Sequence, residues 1–176
     1  MSTTTHLNQR PATLRLNPAG IPAEMKLLVQ WVNWRWARTD DGHWTKVPID
    51  SHTGALASST NPTSRSSFTA VLARVERGDV DGLGFVFTND DPYVGIDLDK
   101  VIEPDTGVID AEAKGIIDNF GSYTEISPSG TGIHIIVKGR LPEGVTGRRQ
   151  GHIELYQSGR YFTMTGHRLW GDSDGR

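Results

Sequence analysis

Short stretches of the chain alternate hydrophobic and polar residues, which is typical of β-strands that bury one face. The first stretch spans residues 29–37, and after an Asp-Asp-Gly turn a second spans residues 43–49, so the two predict a hairpin. A central hairpin is expected from residues 83–87 and 93–98. The other alternating stretches predict two more pairs of strands, residues 122–126 with 133–137 and residues 153–156 with 161–165.

Two segments instead repeat their apolar residues at helical spacing. One begins after Ser66 or Ser67, either of which can cap the first turn, and ends at Gly78. The other spans residues 110–120 and is stopped by Gly121. Together with the strands, these helices predict an α+β fold with a mixed, largely antiparallel sheet and flanking helices on one side.

The remaining segments set the expected domain limits. Residues 1–20 are mostly polar and predict a loosely attached, flexible arm. A short helix is expected over residues 23–28, and residues 51–64 form a loop because they are dense in Ser, Thr, Gly, Asn and Pro. We therefore expect one domain over residues 21–168, followed by a polar tail over residues 169–176.

Composition excludes several classes of function. The 176 residues include no cysteine, which rules out disulfides, thiol nucleophiles, iron-sulfur clusters and thiolate zinc sites. No run of about 18 apolar residues occurs, and the first residues do not form a signal peptide. We therefore expect a cytoplasmic protein with no membrane partner.

The net charge of −3 hides a strong segregation along the chain. Residues 1–78 carry 9 basic and 5 acidic side chains, residues 79–125 carry 2 and 12, and residues 126–176 carry 7 and 4. An acidic centre between basic arms suits metal-dependent phosphate chemistry, with carboxylates for cations and arginines for phosphates. A solvated acidic surface would give the same counts.

Asp97 and Asp99 lie two residues apart on a predicted strand. Their side chains therefore leave the same face, roughly 7 Å apart at the backbone. Two carboxylates this close favour a bound cation, although aspartates at a strand end also occur simply in contact with solvent. The flanking Val94, Ile96 and Leu98 are apolar, which indicates that the opposite face is buried.

A glycine-rich connection precedes His134. It contains Ser127, Ser129 and Gly130, small residues whose backbone N–H groups can approach an anion, so it predicts a phosphate cradle with the imidazole beside it. A plain hairpin loop and a core histidine are the alternative. Further on, Glu154 lies on an otherwise apolar strand, where an inward carboxylate needs a cation or a metal. Alternatively, Glu154 faces solvent or pairs with Arg160 for structural reasons.

In this order, the segments resemble the motif series of the archaeo-eukaryotic primase superfamily. The motifs are Asp-x-Asp, Ser-Gly-x-Gly-x-His and a strand that carries a glutamate. The segments SYTEISPSGTGIHIIVKG and IELYQSGRYFTMTG are similar to the primase-polymerase branch found in phage and plasmid replication proteins. So are the shorter segments WVNW, TKVP and ALASSTNP, and GFVF ahead of GIDLD. The resemblance covers residues 27–166 and implies an RRM-like primase-polymerase catalytic core.

The resemblance implies template-directed nucleotidyl transfer by a DNA primase-polymerase. Asp97 and Asp99 resemble ligands of two Mg²⁺ or Mn²⁺ ions, and Glu154 resembles the third carboxylate. His134 resembles the histidine that contacts the phosphates of the incoming dNTP or NTP. The nucleotide-binding set would be completed by Ser127, Ser129, Gly130 and Arg160.

The implied partners are single-stranded DNA template, primer-template, and further domains of the same polypeptide that supply a helicase or bind primer. Lys46, Arg148 and Arg149 are candidate DNA contacts, and each could equally be a solvated charge. The tryptophans near residues 31–44 could stack template bases, but aromatic strands more often fill cores.

Two other functions fit the same residues. The first is a non-catalytic nucleotide- or DNA-binding module of this fold, against which the complete set of Asp97, Asp99, His134 and Glu154 argues. The second is a metal-dependent phosphohydrolase or nuclease, which would degrade DNA without consuming dNTPs.

Overall fold

The computed structural model describes residues 9–169 and has the predicted α+β class, with every strand pairing antiparallel. The RRM-like character of the core stays a prediction. In chain order, the helices and strands are α1 (Ala23–Lys26), β1 (Trp31–Arg38), β2 (Trp44–Ile49), α2 (Phe68–Arg77), β3 (Gly82–Val86), β4 (Tyr93–Leu98), α3 (Ala111–Phe120), β5 (Tyr123–Ile126), β6 (Ile133–Lys138), β7 (Gly147–Gln150), β8 (Ile153–Tyr156) and β9 (Tyr161–Met164).

The strands form two sheets rather than one. The first sheet has the order β2-β1-β3-β9, and the second has the order β5-β6-β4-β8-β7. The predicted hairpins β1–β2 and β5–β6 are confirmed. The central hairpin β3–β4 is wrong, because β3 is flanked by β1 and β9 in the first sheet and β4 by β6 and β8 in the second.

The pair predicted from residues 153–156 and 161–165 is also wrong, for the same reason. After β8 the chain leaves the second sheet, and β9 pairs with β3 in the first. β8 instead lies between β4 and β7, and the residues of β7, Gly147–Gln150, were not among the predicted strands. Two successive chain crossings therefore connect the two sheets, one after β3 and one after β8.

Capping residues set the helix limits as expected. The side chain of Ser67 accepts a hydrogen bond from Ala70 N at the start of α2, and Gly78 ends the helix with a left-handed φ of 79°. Asp110 caps α3 in the same way, and Gly121 ends it.

The two helices do not lie on one side of a single sheet. α2 contacts β1 and β3 and packs into a first core around Trp31, Phe85 and Phe162. α3 packs into a second core with Ile96 of β4 and Ile133 of β6. The expectation of helices on one side is therefore corrected, because each sheet has an apolar face that needs its own helix.

Residues 9–20, which belong to the predicted arm, make specific contacts with the domain. Leu14 N donates to Pro128 O, and Asn17 N donates to Thr165 O. Most of the predicted tail and residues 1–8 lie outside the described residues, so the domain limits stay predictions. Within residues 9–169, no helix is long and apolar enough to cross a membrane.

Candidate active site

The pairing register of the second sheet brings three predicted site residues together. Asp97 lies directly opposite His134 on β6 and directly opposite Glu154 on β8. Residues that face each other across antiparallel strands project from the same face with Cβ atoms roughly 5 Å apart. The three side chains therefore share one face at the middle of the sheet.

This row continues to both edges of the sheet. Glu125 on β5 lies opposite His134, and Arg149 on β7 lies opposite Glu154. Each of the five strands thus contributes one ionisable side chain to the same row. We call this set the charged row; it consists of Glu125, His134, Asp97, Glu154 and Arg149.

The sequence of β4 fixes which way Asp97 points. Ile96 and Leu98 are buried in the second core beneath α3, so alternation turns Asp97 to the other face. Two residues earlier on that face is Gly95, where an added Cβ would lie 2.5 Å from ring carbons of Phe87 and Phe162. The missing side chain lets these two rings, which belong to the first core, pack directly against β4 beside the charged row.

A cleft of about 690 Å³ opens at the charged row. Asp99, at the exposed end of β4, also lines it, as does Lys46 from β2. The cleft therefore lies between the two sheets and contains both predicted aspartates. Its full lining is Trp36, Trp44, Thr45, Lys46, Asp97, Asp99, Lys100, Ser129, Thr131, His134, Glu154, Tyr161, Phe162 and Thr163.

His134 is buried and held between two carboxylates. Its Nε2 lies 3.7 Å from Asp97 Oδ1, and its Nδ1 lies 3.3 Å from Glu125 Oε1. The ring of Phe162 stacks on the imidazole, with 5.0 Å between centroids and 29° between planes. These contacts leave one ring edge toward the cleft and the other toward the protein interior.

Burial disfavours charge in this cleft. It raises the pKa of Asp97, and the neighbouring carboxylates of Asp99 and Glu154 raise it further against the opposing effects of His134 and Lys46. Burial likewise lowers the pKa of Lys46, against the attraction of Asp97 and Asp99. A cation near the aspartates and an anion near the lysine would each relieve this cost.

Glu154 has its own partners. Its Oε1 lies 3.0 Å from Arg149 Nη1, and its Oε2 accepts a hydrogen bond of 2.7 Å from Tyr156 Oη. Within residues 9–169, no group of three or more His, Cys, Asp or Glu side chains is arranged to hold a metal ion. The structure therefore brings Asp97, Asp99 and Glu154 to one cleft without gathering them around one point.

Comparison with known proteins identifies the family of this chain. No protein-family model matches the chain. The DNA primase-polymerase of Nitratiruptor phage NrS-1 is 39% identical over 149 aligned residues, and the match covers 82% of this chain. The chain contains a primase-polymerase domain. It spans about a fifth of that relative's length, since the match covers 20% of it.

The predicted phosphate cradle of the primase-polymerase domain is a tight turn between β5 and β6. Gly130, with φ 79°, donates its N–H to Ser127 O, so this donor is already used within the turn. Ser127 is buried, and its Oγ accepts from Gly132 N. The hydroxyls of Ser129 and Thr131 lie 3.1 Å apart, and both side chains line the cleft. The loop thus offers hydroxyls to the cleft.

The predicted cationic contacts of the primase-polymerase domain separate into two groups. Lys46 lines the cleft and Arg149 belongs to the charged row. Arg148 lies opposite Leu155 in the register, so alternation turns it to the other face of the second sheet. Arg160 is exposed, does not line the cleft, and packs with its guanidinium 5.2 Å from the ring centre of Tyr156.

The four tryptophans of residues 31–44 lie in two different environments. Trp31 and Trp34 are fully buried, which confirms core packing for those two. Trp36 and Trp44 line the cleft instead. Only the second pair is placed where a base could stack on it.

Glu125 is the site residue that sequence reasoning missed. Its signal was present: an acidic residue inside a strand needs a partner, which is the argument that singled out Glu154. Counting outward from the turn between β5 and β6 places Glu125 opposite His134.

Proposed function

We propose that this primase-polymerase domain catalyses template-directed nucleotidyl transfer: a 3′-hydroxyl attacks the α-phosphate of a dNTP or NTP, and pyrophosphate leaves. The observation that carries the proposal is the cleft itself. One wall presents Asp97 and Asp99, and His134, Lys46 and the hydroxyls of Ser129 and Thr131 also line the cleft. This chemistry requires carboxylates that bind cations, next to cationic and hydroxyl groups that bind phosphates.

Asp97 and Asp99 would hold Mg²⁺ or Mn²⁺, hard cations that prefer oxygen ligands. These residues fit such a cation because burial and two neighbouring carboxylates disfavour the ionised form of Asp97, and a bound cation would stabilise that form. When bound, two such ions activate the 3′-hydroxyl and stabilise the leaving pyrophosphate.

Glu154 would join these aspartates by giving up Arg149. In the structure the Arg149 guanidinium neutralises Glu154, so a cation can take over that role. Arg149 is exposed at the edge strand β7 and would then be free to contact phosphates of nucleotide or DNA. The ion pair thus protects the third carboxylate until substrate enters.

The triphosphate would lie beside these carboxylates in the cleft. His134 presents Nε2, Lys46 presents its ammonium group, and the Ser129 and Thr131 hydroxyls can donate to phosphate oxygens. Trp36 and Trp44 offer aromatic surface to a base of the single-stranded template. Arg160 and Arg148 lie further out and would contact DNA only beyond the cleft.

We further propose that the domain belongs to a replication protein of a mobile element. The support is the phage origin of the relative, of whose length the match covers only 20%. Further domains, such as a helicase or a primer-binding segment, would then contribute much of the affinity for DNA.

A primer-extension assay tests the proposal. A labelled primer on a longer template should lengthen when dNTPs and Mg²⁺ or Mn²⁺ are both present, and should not change in EDTA. Shortening of the primer without consumption of dNTPs would identify a nuclease instead. Nucleotide binding without either product would identify a non-catalytic module.

A further inference from the structure

Residues 9–20, the described part of the N-terminal arm, contact elements of both walls of the cleft. Thr13 Oγ1 accepts a hydrogen bond of 2.8 Å from the indole Nε1 of Trp36, which belongs to β1 of the first sheet. The next residue, Leu14, donates its backbone N–H to Pro128 O at 3.0 Å, in the turn that carries Ser129 to the cleft. Two successive residues of the arm thus hold one element of each sheet.

The arm also helps to hold the main chain of Trp36, through Asp81. One oxygen of this half-buried carboxylate accepts the backbone N–H of Trp36 at 2.7 Å, and the other oxygen pairs with the guanidinium of Arg10. The ring N–H and the main-chain N–H of Trp36 are therefore both bound to groups that the arm supplies or contacts.

Further contacts fix the position of the arm itself. Asn17 N donates to Thr165 O at 2.8 Å, and Leu16 packs against the first core. Gly166, with φ 70°, approaches the arm so closely that an added Cβ would overlap Asn17 O. Because the arm is held at these points, Thr13 has a defined position beside the indole.

We propose that Thr13 is a positioning residue that holds the ring of Trp36 in the orientation on which a base of the single-stranded template stacks. Two rotatable bonds join the indole to its strand, and a hydrogen bond at its far end removes that freedom. A ring that is fixed before binding loses less conformational entropy when a base stacks on it. Thr13 lines no part of the cleft, so it acts only through the indole.

The inference rests on the proposed function for the identity of the ligand, whereas the hydrogen bond is a property of the free protein. A purely structural tie is the competing explanation, because the same contacts anchor the arm to the domain. Loss of such a tie would have the same effect whichever aromatic residue stands at position 36. Positioning through the indole requires instead that the effect of changing Thr13 vanishes once the N–H of Trp36 is gone, which a double-mutant cycle measures.

The chain offers closely matched variants for this cycle. Thr13→Val removes the acceptor and keeps the shape of the side chain, whereas Thr13→Ser keeps the hydroxyl. Trp36→Phe removes the donor and keeps an aromatic ring. Thr69→Val is the control, because Thr69 is exposed on α2 and does not line the cleft.

The first measurement is hydrogen exchange of the Trp36 indole N–H in the full chain without substrate. Its resonance is identified by its loss in Trp36→Phe. The wild type, Thr13→Ser and Thr69→Val should protect this N–H equally, and Thr13→Val should exchange it about 10-fold faster or more, because its hydrogen bond is gone.

The second measurement is affinity for a labelled single-stranded oligodeoxynucleotide at low salt, where weak DNA binding is strongest. Thr13→Val and Trp36→Phe should each lower this affinity about 3-fold or more, since a base then stacks on a ring that is not held. The double variant should lose no more affinity than Trp36→Phe alone. Thr13→Ser and Thr69→Val should bind as the wild type does.

Equal exchange rates in the wild type and Thr13→Val overturn the inference, as does a further loss of DNA affinity when Thr13→Val is added to Trp36→Phe. Wild-type DNA affinity in Thr13→Val, or a loss of affinity for a labelled dNTP alone, overturns it too. Absence of primer extension by the wild type would count against the proposed function and leave the exchange and binding results standing.

Discussion

Lys46 and Asp97 lie in a cleft where burial disfavours the charged form of both side chains. Such charges cost the free protein stability, and a ligand of opposite charge would recover that cost on binding. At the residue scale, removing these charges should therefore weaken ligand binding without destabilising the fold.

Lys46→Met tests this trade-off. The pKa of Lys46 in the folded protein lies below its ordinary value of 10.5, so the buried ammonium form costs stability at neutral pH. This cost disappears once the pH has risen above 10.5, where the lysine is neutral in both the folded and the unfolded state. We expect the variant to melt at the same temperature as the wild type or higher at neutral pH, and to bind dNTP more weakly. Thermal unfolding and dNTP titration measure both effects.

Lys114→Met is the control for this change, because Lys114 is exposed on α3, away from the cleft. It should alter neither quantity. A Lys46→Met protein that is less stable but binds dNTP as the wild type does would show that Lys46 serves packing against Trp36 instead.

His134→Ala should weaken nucleotide binding more than DNA binding. The imidazole faces the proposed triphosphate site beside Asp97, whereas template bases would lie near the tryptophans. Parallel titrations of a labelled dNTP and a labelled primer-template separate the two affinities. Equal losses on both ligands would contradict the role given to His134.

Residue chemistry was partly readable from the sequence. Asp97, Asp99 and His134 stand in motifs whose order resembles that of primase-polymerases, and the structure brings all three to one cleft. Arg149 opposite Glu154 could not be predicted, because that contact depends on β7, a strand without an alternating apolar pattern. Arg160 shows the converse, since proximity in sequence to Glu154 does not place it in the cleft.

At the element scale, β4 carries the site because the residues on each of its two faces have a separate role. One face is apolar and buried under α3, and the other combines Gly95 with Asp97. The strand is also central, with β6 and β8 as neighbours, so its register determines the whole charged row.

Gly95→Ala should therefore destabilise the protein by about 1–3 kcal/mol, the usual cost of overpacking a core. The new methyl group would lie 2.5 Å from ring carbons of Phe87 and Phe162, which are themselves packed against other aromatic rings. Denaturant unfolding measures the change in free energy.

Gly115→Ala provides the opposite case within the same protein. Gly115 lies inside α3, and an added Cβ would meet no atom within 4 Å. Alanine should stabilise this helix by about 0.5–1 kcal/mol. Equal effects of the two substitutions would mean that the rings do not hold β4 in the way described.

Strand positions were more predictable than strand partners. Alternation reveals which face of a strand is buried, and it located eight of the nine strands that residues 9–169 contain. It does not say which strand lies alongside, so nearness in sequence suggested the β3–β4 and β8–β9 pairs that the structure replaces with crossings between sheets. Pairing depends on long-range contacts that no local pattern records.

At the scale of the whole molecule, charge limits how tightly this domain can bind DNA. The net charge is −3, and the acidic centre of the sequence supplies the aspartates of the cleft. These carboxylates repel a primer end until cations screen them. We infer that the domain alone binds DNA weakly.

The small number of basic side chains should also make the DNA affinity depend only weakly on salt concentration. With about 3–5 phosphate contacts, the slope of log K against log salt concentration should be roughly −2 to −5, and affinity should be micromolar or weaker in EDTA. Divalent metal with dNTP should strengthen it. Nanomolar binding in EDTA at physiological salt would favour a dedicated DNA-binding module.

The central claim is that Asp97 and Asp99 form the metal-binding wall of a nucleotidyl transfer site. Metal-dependent primer extension by Asp97→Asn and Asp99→Asn, with the exposed Asp105→Asn as control, tests it most directly. Loss of metal-assisted charge stabilisation should reduce extension at least about 100-fold in the first two variants. The melting temperature of Asp97→Asn should not fall, since this change removes a half-buried charge that neighbouring carboxylates repel. Wild-type extension rates in either variant would contradict the account.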